Sequence, residues 1–272
     1  MDTTENEIQT LRRELNALRD ENIALHNELV KQNKILFEQI ISVGRKLAGQ
    51  ADLVHQAIRY FNSQDLKVHL VHAAGMQTAE FIVENMSKVK SFADKKTYLQ
   101  HVLAQTENRN GLFMEFGVYK GETINIISAA VPDKIFYGFD SFEGLPEDWR
   151  HDYWNFAKGK FNLNGKMPQV NSNVRLVKGW FNETLPAFVK EHAEPCAFIH
   201  VDCDLYSSTK TIFDNLKDQI VSGTVIAFDE YFNYPGWQQG EHKAFMELVA
   251  EKGFEFEYIA RTDLAQVAVK IK

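Results

Sequence analysis

The chain has 272 residues, of which 44% are hydrophobic and 25% charged, enough apolar material for one large core plus an appendage. Its net charge of −7 argues against a nucleic-acid-binding protein, which needs a basic surface, and suits a protein with a small-molecule ligand. The two cysteines, Cys196 and Cys203, have no zinc-site spacing and are too few for a disulfide framework, so we expect buried thiols in a reducing compartment. No run is long enough to span a membrane and no segment resembles a signal peptide, so a cytoplasmic protein is expected.

The first 48 residues carry the seven-residue repeat of a coiled coil. In a parallel pair, glutamates at g positions face arginines at the following e positions of the partner, as in Glu7–Arg12 and Glu14–Arg19. Asn22 at one a position favours two strands in register, because its amide pairs with its twin. We expect a parallel homodimer rather than a single helix lying on the domain, and the repeat leaves open whether it also tethers a partner. The a and d positions hold Ile8, Leu15, Asn22, Leu29 and Leu36, and Leu11, Leu18, Leu25, Gln32 and Gln39.

Residues 49–110 contain helical patterns at 51–63, 66–89 and 92–105, and we expect them to form a helical cap or linker that lines one wall of a cleft. From residue 111 to 272, apolar runs alternate with helical patterns. Five runs separated by helices predict a parallel sheet covered on both faces, and the last two predict a hairpin at one edge. The runs span 111–117, 134–140, 173–179, 196–202, 223–229, 254–260 and 265–272, and the helices 122–130, 183–192, 207–220 and 241–251.

The first predicted strand ends in the pattern E-x-G-x-x-x-G, formed by Glu115, Gly117 and Gly121. Gly117 lets the backbone approach a ligand, the helix that begins near Gly121 directs free N–H groups at a carboxylate, and Glu115 accepts from an ammonium group. The second strand ends at Asp140, before Ser141, where a carboxylate accepts both hydroxyls of a ribose. Subsites for an amino acid group and for a ribose together indicate S-adenosylmethionine as the ligand. NAD is disfavoured because the spacing of the glycines is not G-x-G-x-x-G. The alternative interpretation of Gly117 and Gly121, taken by themselves, is an ordinary tight turn between a strand and a helix.

Acidic pairs follow the fourth and fifth predicted strands, with Asp202 and Asp204 after one and Asp229 and Glu230 after the other. If these strands are neighbours, the carboxylates meet at one rim and repel one another unless a cation joins them. Mg²⁺ suits such a site, because it is a hard cation that prefers oxygen ligands. Two alternatives stay open: a solvated acidic rim without an ion, and a glycosyltransferase D-x-D site that holds a nucleotide-sugar diphosphate.

In their combined order these motifs resemble the class I S-adenosylmethionine-dependent methyltransferases, and more narrowly the macrocin O-methyltransferase family, which methylates sugar hydroxyls. The resemblance runs from about residue 85 to residue 272, on the segments EFGVYKGETI, GFDSFEGLPE, VKGWFNETLP, HVDCDLYSST and AFDEYFNYPGW. It implies a Rossmann-like, seven-stranded, mostly parallel sheet with an antiparallel C-terminal hairpin. It also implies S-adenosylmethionine as cofactor and a sugar of a natural product or glycan as acceptor.

The same resemblance assigns roles to residues at the acidic rim. It makes Asp202, Asp229 and Glu230 the ligands of Mg²⁺ and Asp204 the general base. Glutamate at position 230 departs from the family, in which a second aspartate is common. The resemblance also implies that Trp180 and Phe181 flank the adenine ring of the cofactor.

A long connection over residues 144–172, rich in glycine, asparagine, lysine and aromatic residues, is typical of a functional lid. We expect its aromatic residues to stack on the acceptor sugar and a second aromatic group to line the opposite wall. These residues are Trp149, Tyr153 and Trp154, and Tyr231, Tyr234 and Trp237. The function expected from all these features is O-methyl transfer, with a metal-dependent glycosyltransferase or a catalytically inactive dimeric scaffold as alternatives.

Overall fold

The structure is a computed structural model that describes residues 2–46, 66–107, 110–150 and 155–272. The chain divides into two compact units, Met1–Leu66 and Lys67–Lys272. The described part of the first unit is one continuous helix, α1 (Asp2–Lys46). Its leucines at positions 15, 18, 25, 29 and 36 are 57–67% exposed in the single chain, so an apolar seam is present and the coiled-coil dimer stays a prediction. Outside the described residues lie the predicted helix over 51–63 and the side chains of Glu7, Ile8, Leu11, Arg12 and Gln39.

The described residues of the second unit form an eight-stranded mixed sheet. Its strands are β1 (Ser91–Phe92), β2 (Leu112–Phe116), β3 (Phe136–Asp140), β6 (Val174–Lys178), β7 (Cys196–Val201), β8 (Val225–Phe228), β9 (Phe256–Thr262) and β10 (Val267–Ile271). They lie in the order β1–β9–β10–β8–β7–β2–β3–β6. The five strands β6, β3, β2, β7 and β8 are parallel, and β10 is antiparallel to β8 and β9, as the sequence predicted.

Helices cover both faces of this sheet. They are α2 (Leu66–Asn85), α3 (Lys95–Ala104), α4 (Glu122–Ala130), α5 (Phe181–Glu191), α6 (Tyr206–Leu216) and α7 (Glu241–Lys252). Because side chains alternate along a strand, β7 directs Phe198 to the core under α3 and α4 and Ile199 to the core under α5, α6 and α7. The central strands β2 and β7 are buried along their whole length, which explains why their sequences read as continuous apolar runs.

The predicted arrangement differs from the structure at the edge of the sheet. Phe92, predicted to begin a helix, and Ser91 before it form the short strand β1 and pair with β9 in parallel. The C-terminal hairpin is therefore flanked by one more strand instead of ending the sheet. A two-residue strand is too short to show any alternation of apolar and polar residues, so the sequence carried no signal for it.

The connection over residues 144–172 contains a small hairpin, β4 (Trp149–Arg150) and β5 (Asn155–Phe156), which pair antiparallel to each other. Two of its predicted sugar-stacking residues, Tyr153 and Trp154, lie outside the described residues. Both cysteines of the chain are buried and unpaired, as predicted. In the described ranges, no helix combines the length and apolar character needed to cross a membrane.

Candidate active site

A cavity of about 820 Å³ lies at the carboxyl ends of β2, β3, β6, β7 and β8. Its volume is within the range of about 300–1,000 Å³ that is usual for small-molecule sites. Of the residues predicted to bind the cofactor or the metal or to act as the base, eight line this cavity: Gly117, Asp140, Ser141, Trp180, Phe181, Asp202, Asp204 and Glu230. Glu115, Gly121 and Asp229 do not line it. The sheet thus gathers residues from five strand ends that are far apart in the sequence.

Gly117 turns the chain sharply between β2 and α4. Its φ is +94°, and a β-carbon there would lie 1.7 Å from the carbonyl oxygen of Asp202. The backbone after β7 therefore makes a close approach at this glycine, and Gly117 also lines the cavity, where its contact with a ligand stays a prediction. The backbone N–H of Asp202 also donates to the carbonyl of Phe116, at 2.9 Å, which fixes the start of the acidic rim against β2.

Asp140 lies in the wall of the cavity with both of its carboxylate oxygens held. The backbone N–H groups of Tyr119 and Phe142 donate to them, at 2.8 and 2.6 Å. Burial raises the pKa of Asp140, and these hydrogen bonds act in the opposite direction. Since each oxygen has a second lone pair, the carboxylate still has acceptor capacity toward the cavity.

The start of helix α4 borders the same cavity. Gly121 caps the helix with a φ of +84°, and the next two residues, Glu122 and Thr123, line the cavity. A β-carbon at position 121 would lie 3.3 Å from Cγ1 of Val170. Gly121 is therefore a helix-start residue packed against the 144–172 connection, while the exposed N–H groups of the helix belong to the residues after it.

Trp180 and Phe181 stand where β6 passes into α5. Trp180 is the N-terminal cap of α5, and Phe181 packs edge-to-face on Phe116 with ring centroids 5.4 Å apart. Both side chains are half-buried and line the cavity. Each side chain is therefore partly packed against the protein and partly exposed to the cavity, where a ligand can contact it.

Glu115 lies deeper than the sequence suggested. Its Oε1 atom is 2.9 Å from Nδ1 of His200, and both side chains are fully buried. Burial raises the pKa of Glu115 well above its ordinary value, and burial lowers the pKa of His200 to about 3. Glu115 does not line the cavity, because its carboxyl group pairs with His200 behind the cavity wall, and its contact with a ligand stays a prediction. His200 has no sequence signal of its own, since a single histidine within a strand reads as core packing.

Lys95 is the main residue of the site that the sequence did not reveal. From the first turn of α3, its ammonium group lies 2.9 Å from Oδ2 of Asp202 and 2.6 Å from Oδ1 of Asp229. Burial alone lowers the pKa of Lys95, but the charges of Asp202 and Asp229 outweigh it, and the pKa is well above the ordinary lysine value. Nothing in the segment DKKTYLQ distinguishes Lys95 from its neighbour Lys96, which is exposed.

The two acidic pairs meet as predicted, because β7 and β8 are neighbouring parallel strands. Carboxylate oxygens of Asp202, Asp204 and Glu230 lie within 4.8 Å of one another, a donor set that fits a hard divalent cation. Asp229 is not part of this group, and its carboxylate is paired with Lys95. The repulsion that the sequence implied is thus relieved partly by a lysine from another helix.

The remaining carboxyl groups at this rim have raised pKa values. Burial, with a further contribution from the charge of Asp202, raises the pKa of Asp204 to about 8. Burial likewise raises the pKa of Glu230 and of Glu241, a buried residue at the start of α7 whose Oε2 atom accepts from the backbone N–H of Glu230 at 3.1 Å. Asp204 has a φ of +65°, a conformation uncommon for aspartate, which indicates that its neighbours hold it in position.

A second cavity of about 650 Å³ adjoins the first. The two share part of their walls, namely Glu147, Trp149, Asp204 and Ser207. The second cavity extends from there to Lys67, Tyr206 and the turn that contains Gly236 and Gly240. Asp204 is therefore accessible from both sides.

The second aromatic group does not line either cavity, contrary to expectation. Tyr231, Tyr234 and Trp237 are buried in the core, where Tyr231 and Trp237 pack around Phe81 and His242. We expected these residues to line a cavity wall because they follow the end of β8. Their rings instead pack between the start of α7 and α2. Trp149, by contrast, borders both cavities.

A sequence model of the family described as Macrocin-O-methyltransferase (TylF) matches residues 86–251. The chain belongs to the macrocin O-methyltransferase family. The matched range contains all the residues of the predicted site and ends within α7.

Two curated relatives of this chain are O-methyltransferases from Streptomyces. The demethyldecarbamoylnovobiocin O-methyltransferase of Streptomyces niveus is 24% identical over 166 residues, covering 53% of this chain and 62% of that protein. The 8-demethyl-8-(2,3-dimethoxy-alpha-L-rhamnosyl)-tetracenomycin-C 4'-O-methyltransferase of Streptomyces olivaceus is 30% identical over 107 residues, covering 34% and 40%. The matched stretches thus span less than two thirds of either relative.

Solved structures support the same fold. CalS11, a calicheamicin methyltransferase, superposes with a TM-score of 0.52 at 20% identity, covering 76% of this chain and 93% of that one. The O-methyltransferase NovP superposes with a TM-score of 0.50 at 23% identity, covering 65% and 78%. The predicted class I methyltransferase fold, with its C-terminal antiparallel hairpin, is therefore confirmed.

Proposed function

We propose that this protein is an S-adenosylmethionine-dependent O-methyltransferase that acts on a sugar hydroxyl of a natural product or glycan. One observation carries the proposal: in a chain of the macrocin O-methyltransferase family, two adjoining cavities meet at the side chain of Asp204. A cofactor in the larger cavity and an acceptor in the smaller one would then lie on either side of a carboxylate that can take a proton.

The larger cavity is the proposed cofactor site, and bound S-adenosylmethionine would supply an electrophilic methyl group. Asp140 accepts the ribose hydroxyls with the lone pairs that its backbone donors leave free. Trp180 and Phe181 flank the adenine, and Ser141 borders the same part of the wall. The carboxylate of the cofactor binds near the N-terminus of α4, and Gly117 and Gly121 shape this turn.

Glu115 is proposed to accept a hydrogen bond from the ammonium group of the cofactor. Its second oxygen, Oε2, has no hydrogen-bond partner among the described residues. A buried acceptor of this kind favours a donor that approaches from the ligand side.

Asp204 is the proposed general base. It holds the proton of the acceptor hydroxyl as the oxygen attacks, and positioned bases of this kind contribute about 10²–10⁴-fold to the rate. The support for this role is its place in the walls of both cavities. Bringing both reactants into fixed contact is the larger effect, with effective molarities of roughly 10⁵ M or more.

A divalent cation, Mg²⁺, is proposed to bind at the acidic rim. Asp202 and Glu230 are ligands in this proposal, and Asp229 joins them if Lys95 releases it. When bound, the cation would lower the pKa of an acceptor hydroxyl beside it. The support is the set of carboxylate oxygens within 4.8 Å of one another.

The charge of the second cavity favours one group of acceptors. Three of the side chains that line it are acidic, Glu147, Asp148 and Asp204, against one lysine, Lys67. A neutral or amine-bearing glycoside fits this lining better than a nucleotide-linked sugar, whose phosphates would be repelled. The same charge argues against the alternative of a glycosyltransferase that holds a sugar diphosphate at Asp202 and Asp204.

Association through α1 is proposed to give a homodimer. The support is the exposed apolar seam of this continuous helix together with its matched e and g charges. A purely structural dimeric scaffold, the remaining alternative, does not need a cavity of 820 Å³ or a buried acidic cluster.

The proposed activity is tested by incubating the full chain with methyl-labelled S-adenosylmethionine and a panel of neutral, amino and nucleotide-linked sugars. Label is expected in a neutral or amino glycoside. Asp204→Asn is expected to retain cofactor affinity and to lose about 10²–10⁴-fold in turnover. Wild-type turnover in Asp204→Asn would remove this residue from the mechanism, and transfer of the sugar instead of the methyl group would refute the proposal.

A further inference from the structure

Lys95 occupies the position between two carboxylates that the family resemblance assigns to a metal. Its ammonium group contacts Asp202 at 2.9 Å and Asp229 at 2.6 Å, so one side chain already bridges the ends of β7 and β8. With a side chain that is 33% exposed, Lys95 is partly shielded from water, and such an ion pair is screened less than one on the surface.

Lys95 and a cation would share Asp202 as a partner. Asp202 is paired with Lys95 and also belongs, with Asp204 and Glu230, to the group of oxygens within 4.8 Å of one another. These three carboxylates line the larger cavity, whereas Lys95 does not. The ammonium group therefore contacts Asp202 from outside the cavity, whereas a metal ion would contact it from inside. Two cations beside the same carboxylate repel each other.

We propose that Lys95 is a tethered cation that competes with a divalent metal ion for the carboxylates of Asp202 and Asp229. Without a metal, Lys95 neutralises the rim and fastens the first turn of α3 to the ends of β7 and β8. When a metal binds, Asp202 and Asp229 are drawn toward the ion and the contact with Lys95 is lost. Lys95 is thus a positioning residue that sets the metal affinity of the site and links it to α3.

This inference rests on the proposed metal site but not on the methyl-transfer reaction. It accounts for two features at once, the absence of Asp229 from the group of three and the presence of a lysine where the sequence predicted only acids. It also predicts a weak metal site in the wild-type chain, because each metal ion must displace an ion pair.

The test measures Mn²⁺ binding to the full chain by electron paramagnetic resonance of the free ion, without cofactor or acceptor. Lys95→Met is expected to bind Mn²⁺ at least tenfold more tightly than the wild type, because it frees two carboxylates. Lys95→Arg keeps the positive charge and is expected to stay within about threefold of the wild type. Lys96→Met, one position further along α3 and exposed, is the matched control and is expected to show no change.

Thermal unfolding of each variant, followed by circular dichroism, checks that the fold is retained, and Lys95→Gln, which removes the charge but keeps a polar head, replaces Lys95→Met if the latter does not fold. Lys95→Gln is likewise expected to bind Mn²⁺ at least tenfold more tightly than the wild type, while Lys95→Arg and Lys96→Met stay close to it. Equal Mn²⁺ affinity in the wild type, Lys95→Met and Lys95→Arg would overturn the inference. Absence of Mn²⁺ binding from all of them would also overturn it, and cofactor binding measured on the same samples would show that the proposed methyltransferase function is unaffected.

Discussion

His200 Nδ1 lies 2.9 Å from Glu115 Oε1, and the two residues face each other in register on the parallel strands β2 and β7. Neither side chain is exposed to water. Burial raises the pKa of Glu115 and lowers that of His200, so we expect the contact to be a hydrogen bond between two neutral groups and not an ion pair. The pair joins the two central strands directly behind the cavity wall.

Two substitutions of Glu115 distinguish a hydrogen bond between neutral groups from an ion pair. Glu115→Gln keeps a group that can either donate to or accept from His200, so we expect the free energy of unfolding to fall by less than about 1 kcal/mol. Glu115→Leu leaves the imidazole nitrogen without a partner and is expected to cost about 1–3 kcal/mol. Urea unfolding measures both. If Glu115→Gln costs about 3–5 kcal/mol, as expected when one partner of a buried ion pair is removed, the pair is charged.

Gly117→Ala is expected to damage the fold more than its backbone angle alone would suggest. The new β-carbon would lie 1.7 Å from the carbonyl oxygen of Asp202, in addition to the strain at a φ of +94°. Gly223→Ala is the matched control, because Gly223 has a φ of +89° and a β-carbon added there would have no neighbouring atom within 4 Å. In the control we expect the free energy of unfolding to fall by about 1–2 kcal/mol, because alanine is strained in the left-handed conformation. For Gly117→Ala we expect it to fall by more than about 3 kcal/mol. Similar losses for the two variants in urea unfolding would show that the contact with Asp202 does not add to the cost of Gly117→Ala.

The stability of the fold is expected to depend on pH through His242, which packs against Tyr231 and Trp237. Burial lowers the pKa of His242 below its ordinary value of 6.5. In the unfolded chain this histidine takes up a proton as the pH falls through about 6.5, while in the folded chain it resists protonation. Its contribution to stability is therefore fully present above that pH and is lost progressively below it.

This pH dependence is measured as the difference in the free energy of unfolding between the wild type and His242→Gln from pH 7.5 to pH 5. The difference is expected to shrink as the pH falls. His72→Gln, at an exposed position of α2, removes a histidine that is not packed in the core and serves as the control. A difference for His242→Gln that is constant with pH would mean that this ring titrates alike in the folded and unfolded chains.

Association through α1 is expected to fail when its apolar seam is made acidic. Leu18→Asp with Leu25→Asp places charges at two neighbouring d positions and should convert a dimer into a monomer in sedimentation velocity experiments. Asn27→Asp, at an f position that faces away from a partner helix, is the control and should leave the dimer intact. A wild-type chain that sediments as a monomer at the same concentration would contradict the coiled-coil prediction.

The sequence predicted the fold and the acidic rim because both depend on local patterns. The apolar runs of β2, β3, β6, β7 and β8 and the helices between them are long enough to show periodicity, and the acidic residues stand where those runs end. The parallel order of the strands then brings Asp202, Asp204 and Glu230 together.

What the sequence did not reveal depends on contacts between distant segments. Lys95 and His200 act through partners more than 80 positions away, and their local sequence is that of an ordinary helix start and an ordinary core strand. The same limit explains Gly117, whose turn was recognised but whose close neighbour, the backbone of Asp202, was not. Tyr231 and Trp237 were placed on a cavity wall because they follow a strand end, although their burial is decided by packing against α2.

The central claim is that the larger cavity binds S-adenosylmethionine, and isothermal titration of the full chain with S-adenosylhomocysteine tests it most directly. We expect saturable binding by the wild type, at least tenfold weaker binding by Asp140→Ala, and no binding of a nucleoside diphosphate with or without Mg²⁺. Binding of the diphosphate that requires Mg²⁺, with no response to S-adenosylhomocysteine, would contradict the claim and identify Asp202 and Asp204 as the D-x-D site of a glycosyltransferase.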